Sequence, residues 1–254
     1  MSLFDLSNKV ALVTGGNGGI GYAIAESLGL HGAKVVIAGR NQEKNSKCEV
    51  FLKEKNIEAS SLQVDVNDEK SCEFLMLHAI KKFGQIDVLV NNAGTNIRKR
   101  PEQYELNEWT SIINTNLVSM FICSKICYSY FCKVGAGKII NIGSMHSIFA
   151  SPVGSAYAAS KGGVVQLTKS LANCWAKDNI QVNSILPGYI DTEMTKKARI
   201  DIPELQRRVE ERTPVGHWGK PEDLSGTAVF LSSKASNFVT GTAIPVDGGY
   251  SING

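Results

Sequence analysis

The stretch VALVTGGNGGIGYAIAESL, residues 10–28, joins an aliphatic run to a helical pattern through a glycine-rich turn. The run VALVT (10–14) is typical of a buried strand, and Ile20, Ile24 and Leu28 recur every four residues, as on one face of a helix. Glycine permits positive φ and a close approach of the backbone to a ligand, and the helix N-terminus behind the turn offers free N–H groups to a phosphate. The stretch therefore predicts a strand–turn–helix unit that binds a nucleotide phosphate.

The same alternation of strand and helix continues along the chain. Six further runs are typical of buried parallel strands, and segments with helical periodicity separate most of them. The six runs are KVVIA (34–38), SLQVD (61–65), DVLVN (87–91), KIINIG (138–143), QVNSIL (181–186) and AIPVD (243–247). The pattern predicts an α/β fold, a single domain over residues 1–254 with a doubly wound seven-stranded parallel sheet and helices on both faces. Such sheets bind ligands beyond the carboxyl ends of their strands, where the strand order reverses.

Composition limits the function classes. Of the 254 residues, 43% are hydrophobic and 20% are charged, as in an ordinary globular protein, and the formal net charge of +3 is too slight to suggest nucleic-acid binding. We expect no membrane association, because no apolar run reaches spanning length and the first ten residues, MSLFDLSNKV, lack a signal-peptide pattern. The six cysteines show no CxxC pair and no zinc spacing, which predicts no metal site and a cytoplasmic location, with Cys123 and Cys127 as buried free thiols.

Several polar motifs stand at or shortly after predicted strand ends. NNAG (91–94) ends the fourth strand, Ser144 follows the fifth, and SAYAASKGG places Tyr157 and Lys161 four residues apart, on one face of a helix. Together with the spacing TGxxxGxG of residues 14–21, and with PGYIDT (187–192) and VDGGY (246–250), the order of these motifs resembles that of the short-chain dehydrogenase/reductase family. The resemblance covers nearly the whole chain and implies a Rossmann fold and an oxidoreductase.

The resemblance implies a catalytic tetrad of Asn116, Ser144, Tyr157 and Lys161. Tyr157 matches the family's general acid/base, Ser144 the residue that hydrogen-bonds the reacting carbonyl, and Asn116 the residue that keeps a water in place for a proton relay. A free tyrosine titrates near ~10, too high for acid–base work at neutral pH, and we expect the Lys161 ammonium one turn away to lower that pKa. Lys161 also matches the lysine that holds the nicotinamide ribose.

The cofactor cleft is assigned in the same way. Asp65 resembles the acidic residue beside the adenine ring, Asn91 a residue that braces the central strands, and Thr192 the threonine that hydrogen-bonds the nicotinamide carboxamide. A helix cap or a turn residue is the alternative interpretation of each polar side chain. The predicted cofactor-binding residues are Gly15, Asn17, Gly19, Ile20, Gly21, Arg40, Asn41, Asp65, Val66, Asn92, Ala93, Gly94, Tyr157, Lys161, Pro187, Gly188, Ile190 and Thr192.

The substrate pocket is predicted from fewer residues. Arg98 lies near the expected pocket mouth, where a guanidinium could bind a carboxylate through paired hydrogen bonds, and His146 could hydrogen-bond a polyol beside Ser144. A surface arginine and an ordinary loop histidine are the alternatives. NIR (96–98), SMHS (144–147) and RTPVGHWGKPEDL (212–224) resemble stretches of the family's gluconate and deoxygluconate dehydrogenases. The charged segment around 192–214 is predicted to be a substrate lid.

These observations favour an NADP(H)-dependent oxidoreductase that interconverts a ketone and a secondary alcohol, on a sugar acid or polyol. One alternative is a 3-oxoacyl-carrier-protein reductase or general carbonyl reductase, although Ser129 and Asn173 stand where the carrier-protein enzymes present arginines. A non-catalytic NADP-binding sensor is the other alternative. The family is mostly tetrameric, and the apolar helix around 106–133, the helix at 155–177 and the C-terminal segment predict a homotetramer, with a dimer as the fallback.

The cofactor preference is predicted from the end of the second strand, in VVIAGRN (35–41). NAD-specific folds place a carboxylate there to bind the ribose 2′-hydroxyl. Here Gly39 is expected to leave room for a 2′-phosphate and Arg40 to offer donors to its oxygens, while Asn41 either assists or caps the next helix. NADP(H) is therefore expected to be preferred, with NAD(H) possible.

Replacing the arginine tests this preference. Arg40→Ala should raise the KM for NADPH with little effect on that for NADH, because only the phosphorylated ribose uses the guanidinium. Gly39→Asp should shift the preference towards NADH. Steady-state kinetics with both cofactors checks both variants, and comparable catalytic efficiency of the unmutated enzyme with the two cofactors would contradict the interpretation of Arg40.

Overall fold

The computed structural model describes residues 2–253 and contains a single seven-stranded sheet. All neighbouring strands run parallel, in the order β3-β2-β1-β4-β5-β6-β7. The strands are β1 (Val10–Thr14), β2 (Lys34–Gly39), β3 (Ala59–Gln63), β4 (Val88–Asn91), β5 (Gly137–Ile142), β6 (Ile180–Pro187) and β7 (Ala243–Val246). The seven strands predicted from sequence are confirmed. β3 begins and ends two residues earlier than predicted, so that Asp65 follows the strand instead of ending it.

Helices cover both faces of the sheet, as predicted. On one face Leu28, Val35 and Leu52 belong to a core that includes the first two helices, and on the other Leu75 and Phe131 belong to a second core. Burial on both faces explains the nearly continuous aliphatic character of the central strands. The helices are α1 (Gly19–Leu30), α2 (Gln42–Glu54), α3 (Glu69–Phe83), α4 (Leu106–Ile113), α5 (Ser119–Val134), α6 (Ser155–Trp175), α7 (Glu193–Asp201), α8 (Leu205–Arg212) and α9 (Ser225–Ser232).

The strand order reverses between β1 and β4. Thr14 and Asn91, the last residues of these two strands, lie opposite each other in the sheet, so the glycine turn and the segment after Asn91 leave the sheet side by side. A crevice for a ligand is expected at this point in an open parallel sheet. The fold thus brings the two motifs together at its ligand-binding edge.

A buried polar network joins the central strands to the helices above them. Asn91 Nδ2 donates to Asn141 Oδ1 at 2.8 Å and to Ser124 Oγ at 3.1 Å, and Asn141 Nδ2 donates to Thr168 Oγ1 at 2.9 Å. These side chains connect β4, β5, α5 and α6, because each strand contributes one amide and each helix one hydroxyl. Asn91 therefore lies where a residue that braces the central strands must lie.

α4 and α5 form one continuous helix, Leu106–Val134, through a π-helical turn at Asn114–Val118. By length and composition this helix is apolar enough to cross a membrane, with a mean hydropathy of 1.3 over 18 residues, contrary to the sequence-based expectation that no run reaches spanning length. Its inner face packs in the core, with Cys123, Cys127 and Phe131 fully buried. Both cysteines are free thiols, as predicted.

Candidate active site

The glycine turn is held by the neighbouring loop. Asn92 Nδ2 donates to the carbonyl oxygens of Thr14 and Gly15, each at 3.1 Å, and Thr14 Oγ1 accepts from the Asn92 and Ala93 N–H groups. A Cβ on Gly21 would lie 2.2 Å from the Gly15 carbonyl oxygen, so only glycine fits there. Asn92, predicted to bind cofactor, therefore uses its amide to fix the shape of the turn.

The N-terminus of α1 is open. Gly18 precedes the helix and provides no side-chain cap, and no acidic residue stands in the first turn. Gly15 and Gly19 have φ values of 64° and 50°, which an L side chain rarely adopts. Free N–H groups and the positive end of the helix dipole consequently face the crevice, as a phosphate-binding turn requires.

Tyr157 and Lys161 lie on one face of α6, with the Lys161 Nζ 5.7 Å from the centroid of the Tyr157 ring. The Lys161 side chain is only 3% exposed, and its ammonium donates to the carbonyl oxygen of Ile142 at 2.7 Å. Ile142 ends β5, directly before the segment that carries Ser144. The lysine therefore joins α6 to the end of the strand that delivers the serine.

Burial dominates the electrostatics of this pair. It raises the pKa of the Tyr157 phenol, while the Ser144 hydroxyl and the positive charge of Arg98 act in the opposite direction. Burial also lowers the pKa of Lys161 to about 8. The expectation that Lys161 lowers the tyrosine pKa is wrong for this structure, because its ammonium is directed at Ile142 and the loss of solvent outweighs the remaining interactions.

Asn116 occupies the π-helical turn and is completely buried. Its Oδ1 accepts from the Thr95 N–H at 2.8 Å, and its Nδ2 donates to the Thr95 carbonyl and to Ser160 Oγ. Both amide hydrogens are thus used within the protein, and the side chain fastens the loop after β4 to α6. A Cβ on Gly94 would lie 3.3 Å from Asn116 Oδ1 and 3.9 Å from Lys161 Nζ, so this glycine keeps the space between the two open.

The turn that follows β5 supports Ser144. Ser144 Oγ accepts from the His146 N–H at 3.1 Å, and Ser147 Oγ donates to the Lys161 carbonyl at 2.7 Å while accepting from the Ser144 N–H. The His146 ring lies edge-on to the Tyr157 ring, with centroids 5.8 Å apart. Burial lowers the pKa of His146, so its imidazole is neutral at pH 7. Ser147 was missed by sequence reasoning, which had no signal separating it from other turn serines.

Three consecutive cations follow the NNAG segment, and only one lacks an acidic partner among residues 2–253. Lys99 pairs with Glu108 at 2.6 Å and the exposed Arg100 pairs with Glu102. Arg98 is half-buried and forms no ion pair within that range. Its positive charge acts on both Tyr157 and His146 and disfavours the protonated form of each.

At the end of β2 the structure corrects the role of Gly39. A Cβ there would lie 2.3 Å from Asn17 Nδ2 and 2.9 Å from Asn45 Oδ1, so two amide side chains fill the space that was expected to be open. Gly39→Asp would therefore displace these amides in addition to changing the charge beside the ribose. Arg40 is exposed. Asn41 Oδ1 accepts from the Lys44 N–H at 2.9 Å and caps α2, which is the alternative that the sequence left open for this residue.

The other predicted cofactor residues lie along the same edge. Asp65 and Val66 follow β3, and Asp65 Oδ1 accepts two hydrogen bonds from Asn67. Ile20 lies in the first turn of α1. Pro187 ends β6, and Gly188 and Ile190 follow it before Thr192, which caps α7 and lies 3.3 Å from the Cβ position of Gly19.

Side chains of the segment 192–214 contact the loops around the crevice. Arg199 pairs with Asp191 and stacks on Trp218, and the guanidinium carbon of Arg212 lies 4.3 Å from the Tyr250 ring centroid and 5.0 Å from that of Phe149. Phe149 belongs to the loop after Ser144 and Tyr250 to the C-terminal segment. Cation–π contacts thus connect α7 and α8 to two walls of the pocket.

Comparison with known proteins agrees with this geometry. The family described as enoyl-(acyl carrier protein) reductase matches residues 15–251. Gluconate 5-dehydrogenase of Gluconobacter oxydans is 38% identical, over 99% of this chain and 98% of its own. 2-Dehydro-3-deoxy-D-gluconate 5-dehydrogenase of Formosa agariphila is 41% identical, over 98% and 95%. The chain belongs to the short-chain dehydrogenase/reductase family. A crystal structure of gluconate 5-dehydrogenase from Burkholderia cenocepacia in complex with NADP and tartrate superimposes with a TM-score of 0.93, at 36% identity over 98% and 97% of the chains.

Membership in this family makes the protein an oxidoreductase and confirms the sequence-based identification and the Rossmann architecture. The four residues predicted to form the catalytic tetrad, Asn116, Ser144, Tyr157 and Lys161, lie together at the carboxyl edge of the sheet. Thr14, Asn45 and Ser160 also shape the site and were missed, because a polar side chain that bonds only to protein has no pattern of its own in a single sequence.

Lys161 gives the protein a measurable pH signature. The pKa of Lys161 falls from 10.5 in the unfolded chain to about 8 in the folded protein. Between these pH values the unfolded chain therefore binds more protons than the folded protein, and the contribution of Lys161 to the unfolding free energy increases as the pH rises from 8 to 10.5. Across this range the unfolding free energy of the wild type should gain about 3 kcal/mol relative to Lys161→Met. Urea unfolding at several pH values measures the difference. Lys169→Met, at an exposed position of the same helix, is the control, and a similar pH dependence for wild type and Lys161→Met would contradict the expectation.

Proposed function

We propose that this protein is an NADP(H)-dependent oxidoreductase that interconverts a ketone and a secondary alcohol in a hydroxy acid of the sugar-acid class. The observation that carries the substrate class is Arg98, a half-buried guanidinium without an ion-pair partner among residues 2–253, whose charge reaches Tyr157 and His146. The relatives named for gluconate and deoxygluconate support the same class.

The residues present fit a dinucleotide. The uncapped first turn of α1 would hold the pyrophosphate, the open space at Gly94 admits the nicotinamide ribose beside Lys161, and Arg40 is free at the surface to bind a 2′-phosphate. Thr192, which contacts the glycine turn at Gly19, would hydrogen-bond the carboxamide. When bound, NADP(H) supplies or accepts the hydride. The Burkholderia gluconate 5-dehydrogenase was crystallised with NADP, which favours the phosphorylated cofactor here.

Proton transfer is assigned to Tyr157. In reduction its hydroxyl donates to the oxygen of the reacting ketone, and in oxidation the phenolate takes the proton back. The Ser144 hydroxyl hydrogen-bonds the same oxygen and, with the positive charge of Arg98, favours the phenolate. Lys161, still largely protonated at neutral pH with a pKa of about 8, holds α6 to the end of β5 through the Ile142 carbonyl and lies beside the space where the nicotinamide ribose would bind. Asn116 positions the loop at Gly94 and α6 relative to each other through Thr95 and Ser160.

Arg98 and His146 give the pocket its polarity. An unpaired guanidinium binds a carboxylate with two hydrogen bonds, and the neutral imidazole of His146 can donate to or accept from a hydroxyl. A substrate with a carboxylate at one end and a carbonyl further along its chain therefore satisfies Arg98 and Tyr157 together. The tartrate in the Burkholderia crystal is a hydroxy acid, which is compatible with such a pocket.

We further propose that residues 192–214 act as a lid within a single domain. Arg212, held between Phe149 and Tyr250, and Arg199, stacked on Trp218, would anchor the two helices of the lid over bound substrate. Closure of such a segment excludes water from the reacting atoms. The carrier-protein alternative is less favoured, because Ser129 and Asn173 are exposed and uncharged where an acidic carrier would need cations.

Loss of the phenolic hydroxyl tests the catalytic assignment and the sensor alternative together. Tyr157→Phe should lower kcat by about 10²- to 10⁴-fold, because proton transfer loses its donor, while NADPH binding measured by fluorescence persists. Tyr130→Phe removes the same group from α5, outside the site, and should retain activity. Wild-type turnover in Tyr157→Phe would refute the mechanism, and a wild-type protein that reduces no carbonyl compound would favour the sensor.

A substrate pair of different charge tests Arg98. Arg98→Ala should raise the KM for a keto sugar acid by about 10- to 100-fold, because a charge-assisted bidentate contact is lost, and should leave the KM for a neutral keto sugar nearly unchanged. Arg100→Ala, at an exposed residue paired with Glu102, is the matched control. Equal losses with the charged and the neutral substrate would show that Arg98 does not bind the carboxylate.

We propose a homotetramer located in the cytoplasm. Leu106 and Phe121 expose apolar surface on the outer side of the long helix, and Phe238 and Ile252 do so near the C-terminus, which gives two separate patches. Light scattering at micromolar concentration should report four times the mass of one chain, and Phe121→Glu should reduce it to a smaller species. A wild-type monomer would contradict the assignment.

A further inference from the structure

α2 buries two of its residues completely, Asn45 and Leu52, and the first of these is polar. The two stand seven positions apart, on the face that α2 turns towards the sheet. An amide buried in such a position costs about 1–3 kcal/mol of stability unless its hydrogen bonds are made, whereas an aliphatic side chain carries no such cost. Packing against the sheet does not explain why this position carries an amide, but the hydrogen bonds of Asn45 do.

The hydrogen bonds of Asn45 determine the orientation of two amides in succession. Asn45 Nδ2 donates to the carbonyl oxygens of Gly39 at 2.8 Å and Leu62 at 3.0 Å. Carbonyl oxygens only accept, so the nitrogen of Asn45 must face them and its Oδ1 must face the other way. That oxygen accepts from Asn17 Nδ2 at 2.6 Å, which fixes the orientation of Asn17 in turn.

Asn17 stands in the glycine turn and lies over Gly39, the last residue of β2. In dinucleotide-binding folds the adenosine ribose is hydrogen-bonded by residues at the end of this strand. With its Nδ2 held by Asn45, Asn17 keeps its Oδ1 without a hydrogen-bond partner among residues 2–253. An amide oxygen in that place is able to accept from a ribose hydroxyl, and it cannot rotate away while Asn45 holds the nitrogen.

We propose that Asn45 is a positioning residue for the cofactor. It holds the Asn17 carboxamide against Gly39 so that the Asn17 oxygen accepts from a hydroxyl of the adenosine ribose. This inference rests on the proposed dinucleotide-binding function. The contact is to the sugar, so Asn45 acts on phosphorylated and unphosphorylated nucleotides alike, whereas Arg40 acts on the 2′-phosphate alone.

Nucleotide fragments test the inference without turnover. Isothermal titration calorimetry with 5′-AMP and 2′,5′-ADP should give Kd values raised about 3- to 10-fold for both ligands in Asn45→Leu, in line with the loss of one positioned hydrogen bond. Arg40→Ala should weaken 2′,5′-ADP only. Glu49→Gln is the matched control, because Glu49 also joins α2 to β3, through Ser61 at 2.7 Å, but lies outside the Asn17 contact. Its Kd values should equal those of the wild type.

A double-mutant cycle separates positioning from general destabilisation. If Asn45 acts through Asn17, adding Asn45→Leu to Asn17→Ala should produce no further loss of affinity. Additive losses, or unchanged Kd values in Asn45→Leu, would overturn the proposal. If Asn45→Leu fails to fold, Asn17→Ala serves as the test by itself. Unchanged affinity of Asn17→Ala for both ligands would show that Asn17 does not bind the ribose, and the proposal would be overturned. A wild-type protein that binds neither fragment would instead contradict the proposed cofactor and this inference with it.

Discussion

The site depends on the amide of Asn92, which bonds to the carbonyl oxygens of Thr14 and Gly15. These two hydrogen bonds, with the Thr14 hydroxyl accepting from the backbone of the opposite loop, join the glycine turn to the segment that follows β4. The first loop carries the open end of α1, and the second leads to Asn116 and Arg98. Because the strands are parallel and the chain order reverses between them, no backbone ladder continues past Thr14 and Asn91 to hold the loops together. Side-chain amides and hydroxyls hold the loops together instead. The distance between the glycine turn, which would bind phosphate, and the residues proposed to transfer the proton therefore depends on a few polar contacts.

Within the catalytic half, burial and charge act against each other. Withdrawal from solvent raises the pKa of Tyr157 and lowers that of Lys161, so burial favours the neutral form of each group. Ser144 and Arg98 favour the phenolate, and Arg98 also disfavours protonation of His146. One arginine can thus assist the acid/base group and attract an anionic substrate, which would connect substrate binding to proton transfer through a single charge.

The sequence predicts the fold in considerable detail, because each strand of a doubly covered parallel sheet is aliphatic along its length and each turn lies at a strand end. The residual error at β3 has a physical cause. β3 has the sequence ASSLQ, with small polar residues, and lies at the edge of the sheet, where only part of the strand is buried. The hydrophobic pattern therefore does not indicate accurately where this strand begins and ends. The candidate catalytic residues could be proposed from the sequence because their spacing is distinctive, and the comparisons support the reaction class that follows from it. The pKa of Tyr157 was misjudged, because the sequence shows that a lysine is near but not that its ammonium is turned towards the Ile142 carbonyl.

Asparagine shows most clearly why the remaining features could not be predicted. Asn41, Asn45, Asn92 and Asn116 have the same functional group, yet one caps a helix in solvent, two orient loops and one is buried between strands and helix. An amide carries a donor and an acceptor about 2 Å apart, so its role is determined by which backbone groups lie on each side of it. That arrangement arises only after the strands have paired and the helices have packed. Polar residues that organise a site through other protein groups are consequently visible in the structure first, and in this fold they cluster at the strand ends, where the backbone ladder stops.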